Sequence, residues 1–322
     1  MIQDAVLLND WHAVLPLGQL EAQHGVAGAR LLGEDIVIWK AGEQVLAWKD
    51  LCVHRGTRLS LGRIEDGARL QCPYHGWTYD AGGACVKIPA HPEQAPPAKA
   101  HTITYHARVA YDMVWVCLGE PVYDIARFDE WNDASYRKIL CGPYEFRATG
   151  PRMVENFLDV AHFPFVHEHI LGTQERPEIP DYEVTTNEAG VTASNIRIFQ
   201  PNPDGTGVAK WVNYTYKVYR PLVAYFRKEA DQKFAILLMV TPAEEVRSLM
   251  WMWMVMTHGE GTDEALRAFQ DEIALQDLPI VESQRPELLP LDLQAELHLR
   301  SDRTAIAYRK WLNALRLTYG TS

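Results

Sequence analysis

The sequence predicts an α+β chain of two domains, an all-β domain followed by an antiparallel sheet with helices packed on it. Three observations point there. The chain has 322 residues, more than one ordinary domain needs. Its first third is a succession of short β-like runs broken by glycine and proline, and the rest interleaves strand-like runs with amphipathic helical stretches. Between the two parts, Gly119-Glu120-Pro121 supplies a break, which sets the expected domains at 1–120 and 121–322.

In order along the chain, Ile36–Trp39, Val45–Trp48, Ile103–Val109 and Val114–Leu118 read as strands, with Gly82-Gly83, Pro89 and Pro96-Pro97 between them. A helix is expected at about 152–168, then strands to about 257 punctuated by turns at Asn202-Pro203-Asp204-Gly205 and Ala230-Asp231. Helices return at about 262–278 and 301–316, the second opened by Ser301 as N-cap. There is no internal repeat.

Composition narrows the function. At 47% hydrophobic and 23% charged residues the chain suits a globular core. Its longest strongly apolar run, Leu249–Met256, falls far short of the ~20 residues of a membrane span. A net charge of −11 disfavours nucleic acid as a partner. No secretory signal opens the sequence, and the five cysteines form no dense disulfide framework. A cytoplasmic protein is expected, its cysteines being core thiols or metal ligands.

Two of those cysteines lie beside histidines, in Cys52-Val53-His54 and Cys72-Pro73-Tyr74-His75. Two thiolates for one iron and two imidazoles for the other are the requirement of a Rieske 2Fe–2S cluster, and neutral imidazole raises its potential above that of an all-cysteine ferredoxin. Structural zinc is the alternative, but zinc fingers usually order their ligands Cys, Cys, His, His, whereas here the types alternate.

A second constellation is Asn156-Phe157-Leu158-Asp159-Val160-Ala161-His162-Phe163-Pro164-Phe165-Val166-His167. Val154, Phe157, Leu158 and Ala161 make an apolar helical stripe, with Glu155, Asp159 and His162 as one polar edge beside it. Pro164 denies the helix a donor between His162 and His167, so a distortion can bring the imidazoles together. Two histidines with a distant carboxylate make the facial triad of non-haem Fe(II) oxygenases. Leu266, Phe269, Ile273 and Ile280 mark an inward stripe on which Asp277 falls, and an acid on a core face calls for a partner such as a metal. Asp277 is the chosen third ligand and Glu282 the runner-up; Asp271 and Glu272 read as a solvated face.

Both motifs, in this order, resemble those of the Rieske non-haem iron oxygenases. Ile88-Pro89-Ala90-His91-Pro92 and the tail around Ala307–Leu312 are similar to segments of small, α-subunit-only Rieske monooxygenases, both saxitoxin-tailoring and O- or N-demethylating types. The resemblance implies a Rieske domain, a helix-grip catalytic domain, and a homotrimer in which Asp159 links one subunit's cluster to its neighbour's iron; Asn156, in the same motif, is a further candidate catalytic residue. It implies O2 as co-substrate. NAD(P)H would act only through a separate reductase of flavin or ferredoxin type, because the chain has neither G-x-G-x-x-G nor a ferredoxin cysteine run. Monooxygenation, by C–H hydroxylation or oxidative demethylation, is expected ahead of arene cis-dihydroxylation. A non-catalytic electron carrier or a zinc-stabilised binding protein would leave the C-terminal two-thirds unexplained.

The substrate is expected to be small and aromatic or polycyclic. Alternating residues in Leu249–Met256 could face it, although each singly is assigned to a buried core strand ahead of pocket lining. Arg227 and Lys228 read as exposed turn charges. Residues 52–87 carry Arg55, Arg58, Arg63, Arg69 and Lys87 against Glu65, Asp66 and Asp80, a basic island for an acidic redox partner, in which Arg55 is expected to be a structural donor.

Overall fold

A computed structural model describes residues 4–203, 208–229, 233–259 and 261–322. Of the expected turns, Asp204-Gly205 and Ala230-Asp231 lie outside the described residues. The chain divides into two compact units, Met1–Ile125 and Ala126–Ser322.

The first unit contains helices α1 (Ala5–Leu8) and α2 (Leu17–Ala22) and ten strands: β1 (His12–Pro16), β2 (Val26–Leu31), β3 (Glu34–Ala41), β4 (Gln44–Lys49), β5 (Arg63–Glu65), β6 (Arg69–Gln71), β7 (Thr78–Tyr79), β8 (Cys85–Lys87), β9 (Thr104–Ala110) and β10 (Met113–Cys117). A six-stranded sheet runs β1-β10-β9-β4-β3-β2, and a four-stranded one runs β5-β6-β7-β8. Val37, Trp39 and Trp48 from the larger sheet share one core with Leu70, Tyr79, Cys52 and Cys72, so the cysteine loops are anchored in apolar packing. His12 on β1 is buried, with Nε2 2.8 Å from the Leu7 carbonyl. Burial outweighs that hydrogen bond and the Asp4 charge, and lowers its pKa to about 4.

The second unit holds β11 (Arg137–Phe146), α3 (Gly150–Leu158), α4 (Phe163–Val166), β12 (Glu183–Asn187), β13 (Gly190–Gln200), β14 (Lys210–Arg220), β15 (Val223–Glu229), β16 (Phe234–Glu244), β17 (Arg247–Met256), α5 (Asp263–Ser283) and α6 (Arg303–Leu315). Its antiparallel sheet runs β11-β17-β16-β15-β14-β13-β12, a succession of hairpins with β11 returning to pair with β17. The α5 helix packs along β11 through Arg137–Asp263, Arg267 to the Leu140 carbonyl, and Tyr144 to Asp271.

Several local expectations change. The helix expected at about 152–168 ends at Leu158, and a separate short turn, Phe163–Val166, follows. Asp159 at the break has extended backbone, and its Oδ1 accepts from the Ala161 N–H at 2.7 Å, satisfying a donor outside any helix. Glu155 is not on a shared polar edge with His162: it is buried, and Arg309 clamps it with contacts of 2.6 and 2.7 Å. Arg309 and Arg152 also hold Glu296, so four buried or half-buried charges fix α3 against α6. The α5 helix continues through Pro279 to Ser283. Ser301 is not an N-cap: its hydroxyl bonds Asp302, which stands at the cap position of α6. On α5 Ile273 is buried, whereas Phe269 and Ile280 are 51% and 45% exposed, so the inward stripe is narrower than expected. Asp271 is not simply solvated, since it accepts from the buried Tyr144 hydroxyl.

Candidate functional site

The two loops carrying Cys52-His54 and Cys72-His75 close in the same way. In each, the cysteine N–H donates to a carbonyl five residues on, Thr57 or Trp77, and the N–H of Gly56 or Gly76 donates back to the cysteine carbonyl. Each glycine has positive φ, +74° and +71°, where a side chain would be strained. Both thiols are buried, and the His54 and His75 rings lie 4.5 Å apart between centroids. Trp77 stacks on His54 with its plane 4° from parallel. Desolvation, His75 and Arg55 all hold the His54 pKa below the ordinary histidine value, which favours the neutral ring that a metal requires. His54 Nδ1 is buried and has no hydrogen-bond partner, the condition of an atom reserved for a ligand. The Tyr79 hydroxyl lies 3.1 Å from Cys52 Sγ, and burial pushes the Cys72 thiol up, opposed by the backbone N–H groups of Tyr74 and His75 and reinforced by Cys52. This donor set fits a Rieske cluster.

The basic island is smaller than the sequence implies. Arg58 pairs with Asp35, Lys87 with Glu65, and Arg69 stands 3.9 Å from Asp66. Arg55 is exposed and, contrary to the structural role expected of it, makes no ion pair among the described residues; Arg63 is also exposed.

In the second unit the helix break lets His162 and His167 turn toward each other and toward Asp277 on α5. Their ring Nε2 atoms are 3.2 Å apart, and Asp277 Oδ1 lies 3.4 Å from His162 Nε2 and 3.2 Å from His167 Nε2. Three ligands at right angles and about 2.1 Å from one ion would stand ~3.0 Å apart. The three atoms therefore stand at the spacing that one face of an octahedron requires, and all three residues border a cavity. Among the described residues these three are the group that could hold a single metal ion. Glu282 does not take part, because its Oε1 accepts from the Arg147 N–H at 2.8 Å.

A second layer orients the three. Asp159 Oδ2 is 3.2 Å from His162 Nδ1, and Asn156 Nδ2 donates to Asp277 Oδ1 at 3.4 Å. Gln276 Oε1 lies 2.7 Å from His167 Nδ1, a partner that the sequence did not single out. Burial opposes charge on His167, but Asp277 and Gln276 together outweigh it and raise its pKa above the ordinary histidine value.

Beside the triad is a cavity of about 710 Å³ between the sheet and α5. Met250, Met252, Met254 and Met256 form one wall, correcting their assignment to a plain core strand. The alternate residues face away: Trp251 donates to Thr241 Oγ1, and Trp253 packs edge-on against Trp131. Phe157, Tyr214, Tyr216, Phe226 and Phe234 add aromatic surface, and Gln200, Gln270 and Lys228 add polar groups. Lys228 is not a turn charge; it sits on β15, 5.1 Å over the Phe234 ring and 5.8 Å over Tyr214. Arg227 is exposed and pairs with Glu229.

A metal-ready triad at an apolar cavity, downstream of a cluster-type cysteine–histidine pair of loops, defines an oxygenase. Residues 10–105 match the Rieske [2Fe-2S] domain and residues 146–318 the vanillate O-demethylase oxygenase C-terminal domain. The chain belongs to the Rieske non-haem iron oxygenases, monooxygenases with a 2Fe–2S cluster and a mononuclear iron. It is similar to methylxanthine N1-demethylase NdmA of Pseudomonas putida, 31% identical over 96% of this chain and 89% of that one. Methylxanthine N3-demethylase NdmB of the same species is 28% identical over 99% and 92%. The solved structure of NdmA from P. putida CBB5 superposes with a TM-score of 0.83 at 29% identity, covering 96% of this chain and 90% of that one. Oxidoreductase NdmD of P. putida is 40% identical over 116 residues, 35% of this chain and 19% of NdmD. No helix among the described residues is long and apolar enough to cross a membrane.

Proposed function

We propose that this enzyme removes a methyl group from nitrogen on a planar heteroaromatic ring, with Cys52, His54, Cys72 and His75 holding the cluster and His162, His167 and Asp277 holding Fe(II). The observation that carries this is the triad opening onto a wall of four methionines backed by aromatic rings. Such a slot grips a flat ring by dispersion and thioether–aromatic contact. N-demethylation by the relatives NdmA and NdmB supports the choice of bond.

When bound, the iron supplies O2 activation with electrons from the cluster. The protein's part is to orient and exclude water. The aromatic walls hold the ring so that one N-methyl group lies against the open face of the triad. Asp159 keeps the His162 ring in register through Nδ1, as Gln276 does for His167. Hydroxylation of the methyl carbon gives an N-hydroxymethyl group. Its C–N bond then breaks, releasing formaldehyde and leaving N–H, while the second oxygen atom of O2 leaves as water. Asp159 is 37% exposed in the single chain, consistent with a homotrimer in which it faces a neighbour's cluster. An NdmD-type reductase is the proposed electron source in a cytoplasmic setting, because the sequence has no dinucleotide fingerprint.

Mass spectrometry of a panel of N-methylated and O-methylated bicyclic rings, with NADH and a reductase, tests this. Loss of one CH2 from an N-methyl compound with equimolar formaldehyde is expected. Gain of two oxygens and two hydrogens, or gain of one oxygen without formaldehyde, would contradict it.

A further inference from the structure

The methionine wall borders the proposed iron site. Met250, Met252, Met254 and Met256 are 3–7% exposed, and all four line the cavity that holds the triad. Met239 pairs with Trp251 in the β16–β17 register and is not among the residues lining the cavity, although it is equally buried. Resting on the iron site proposed above, we infer that this wall is a site of self-oxidation: hydrogen peroxide formed in uncoupled turnover converts the cavity methionines to sulfoxides.

The chemistry closes with reagents that the reaction already uses. NAD(P)H, through the reductase, supplies two electrons that reduce O2 with two protons to hydrogen peroxide. The peroxide O–O bond breaks, one oxygen bonds to a methionine sulfur, and the other leaves as water. The thioether is oxidised by two electrons and the peroxide reduced by two. Confinement makes the wall the first target. One molecule in 710 Å³ is at about 2 M, far above any concentration that the same peroxide reaches after escape into bulk solution. A sulfoxide then places a polar, chiral oxygen on the apolar wall, so binding of a flat ring weakens as damage accumulates.

The holoenzyme is run with reductase, NADH, O2 and xanthine, a planar ring with no methyl group to lose, and digested with trypsin. Residues 248–267 form one peptide carrying all four wall methionines, and the adjacent peptide 234–247 carries Met239 as its control. We expect sulfoxide in 248–267 to exceed that in 234–247 by roughly tenfold, to survive added catalase and to vanish in Asp277→Ala. Equal oxidation of Met239, abolition by catalase, or no sulfoxide in 248–267 after NADH and oxygen have been consumed would overturn the inference. Undiminished sulfoxide in Asp277→Ala would instead overturn the iron site on which it rests.

Discussion

Gln276→Leu should weaken mononuclear iron binding by about 10–100-fold, or about 1.4–2.7 kcal/mol, while leaving the cluster spectrum unchanged. The neutral imidazole of His167 carries one N–H. When Nε2 gives its lone pair to iron, that hydrogen must sit on Nδ1, 2.7 Å from Gln276 Oε1, and the His167 side chain is only 1% exposed. Leucine keeps the volume and removes the acceptor, so the iron-bound form would bury an unpaired donor. The neutral iron-free ring escapes that cost, because its single proton can move to Nε2 and donate to Asp277 Oδ1 at 3.2 Å. The penalty therefore falls on the loaded state and appears as lost affinity. Competition against a graded set of ferrous chelators measures it, and Gln276→Glu, which keeps an acceptor, should retain binding. Affinity in Gln276→Leu within about twofold of wild type would refute the reasoning.

Asp159→Asn should keep both iron centres yet slow cluster oxidation in a single turnover by at least about tenfold, since the amide no longer holds His162 as a carboxylate does; an unchanged rate would make Asp159 a mere helix-end residue. His12 has a depressed folded-state pKa, about 4 against 6.5, so its favourable neutral burial is fully present above pH 6.5 and is lost as pH falls toward 4. Up to about 3 kcal/mol of the first unit's stability should disappear across that window, followed by thermal bleaching of the cluster, and His12→Phe should flatten the profile. Glu155→Ala leaves Arg309 buried without its bidentate partner and should cost about 3–5 kcal/mol in urea unfolding, whereas pairing Glu155→Leu with Arg309→Met should recover much of it.

The pairing of the two cysteine–histidine loops was legible because both candidate ligands of each loop lie within four residues, and the closing Gly56 and Gly76 are local signals. Asp277 was legible for a looser reason: its helical phase follows the buried Ile273, even though Phe269 and Ile280 on the same expected stripe are half exposed. Gln276 was not, since a half-buried amide on a helix has no spacing signature, and its partner lies 109 residues away in sequence. The methionine wall was hidden by symmetry. Both faces of β17 are buried, so a period of two separates Met from Trp without saying which face borders a cavity. The helix end at Leu158 was masked by an apolar stripe running on to Ala161, where a side chain to backbone bond at Asp159 competes with helix continuation.

The central claim, that His162, His167 and Asp277 hold a catalytic iron separate from the cluster, is tested most directly by counting iron per chain in the purified wild type and in Asp277→Ala. The wild type should carry the two irons of the cluster plus one more, and Asp277→Ala should lose that one alone while its reduced Rieske EPR signal stays intact, with Glu282→Ala resembling the wild type. Retention of the additional iron in Asp277→Ala, or stoichiometric zinc in a colourless wild-type protein, would contradict it.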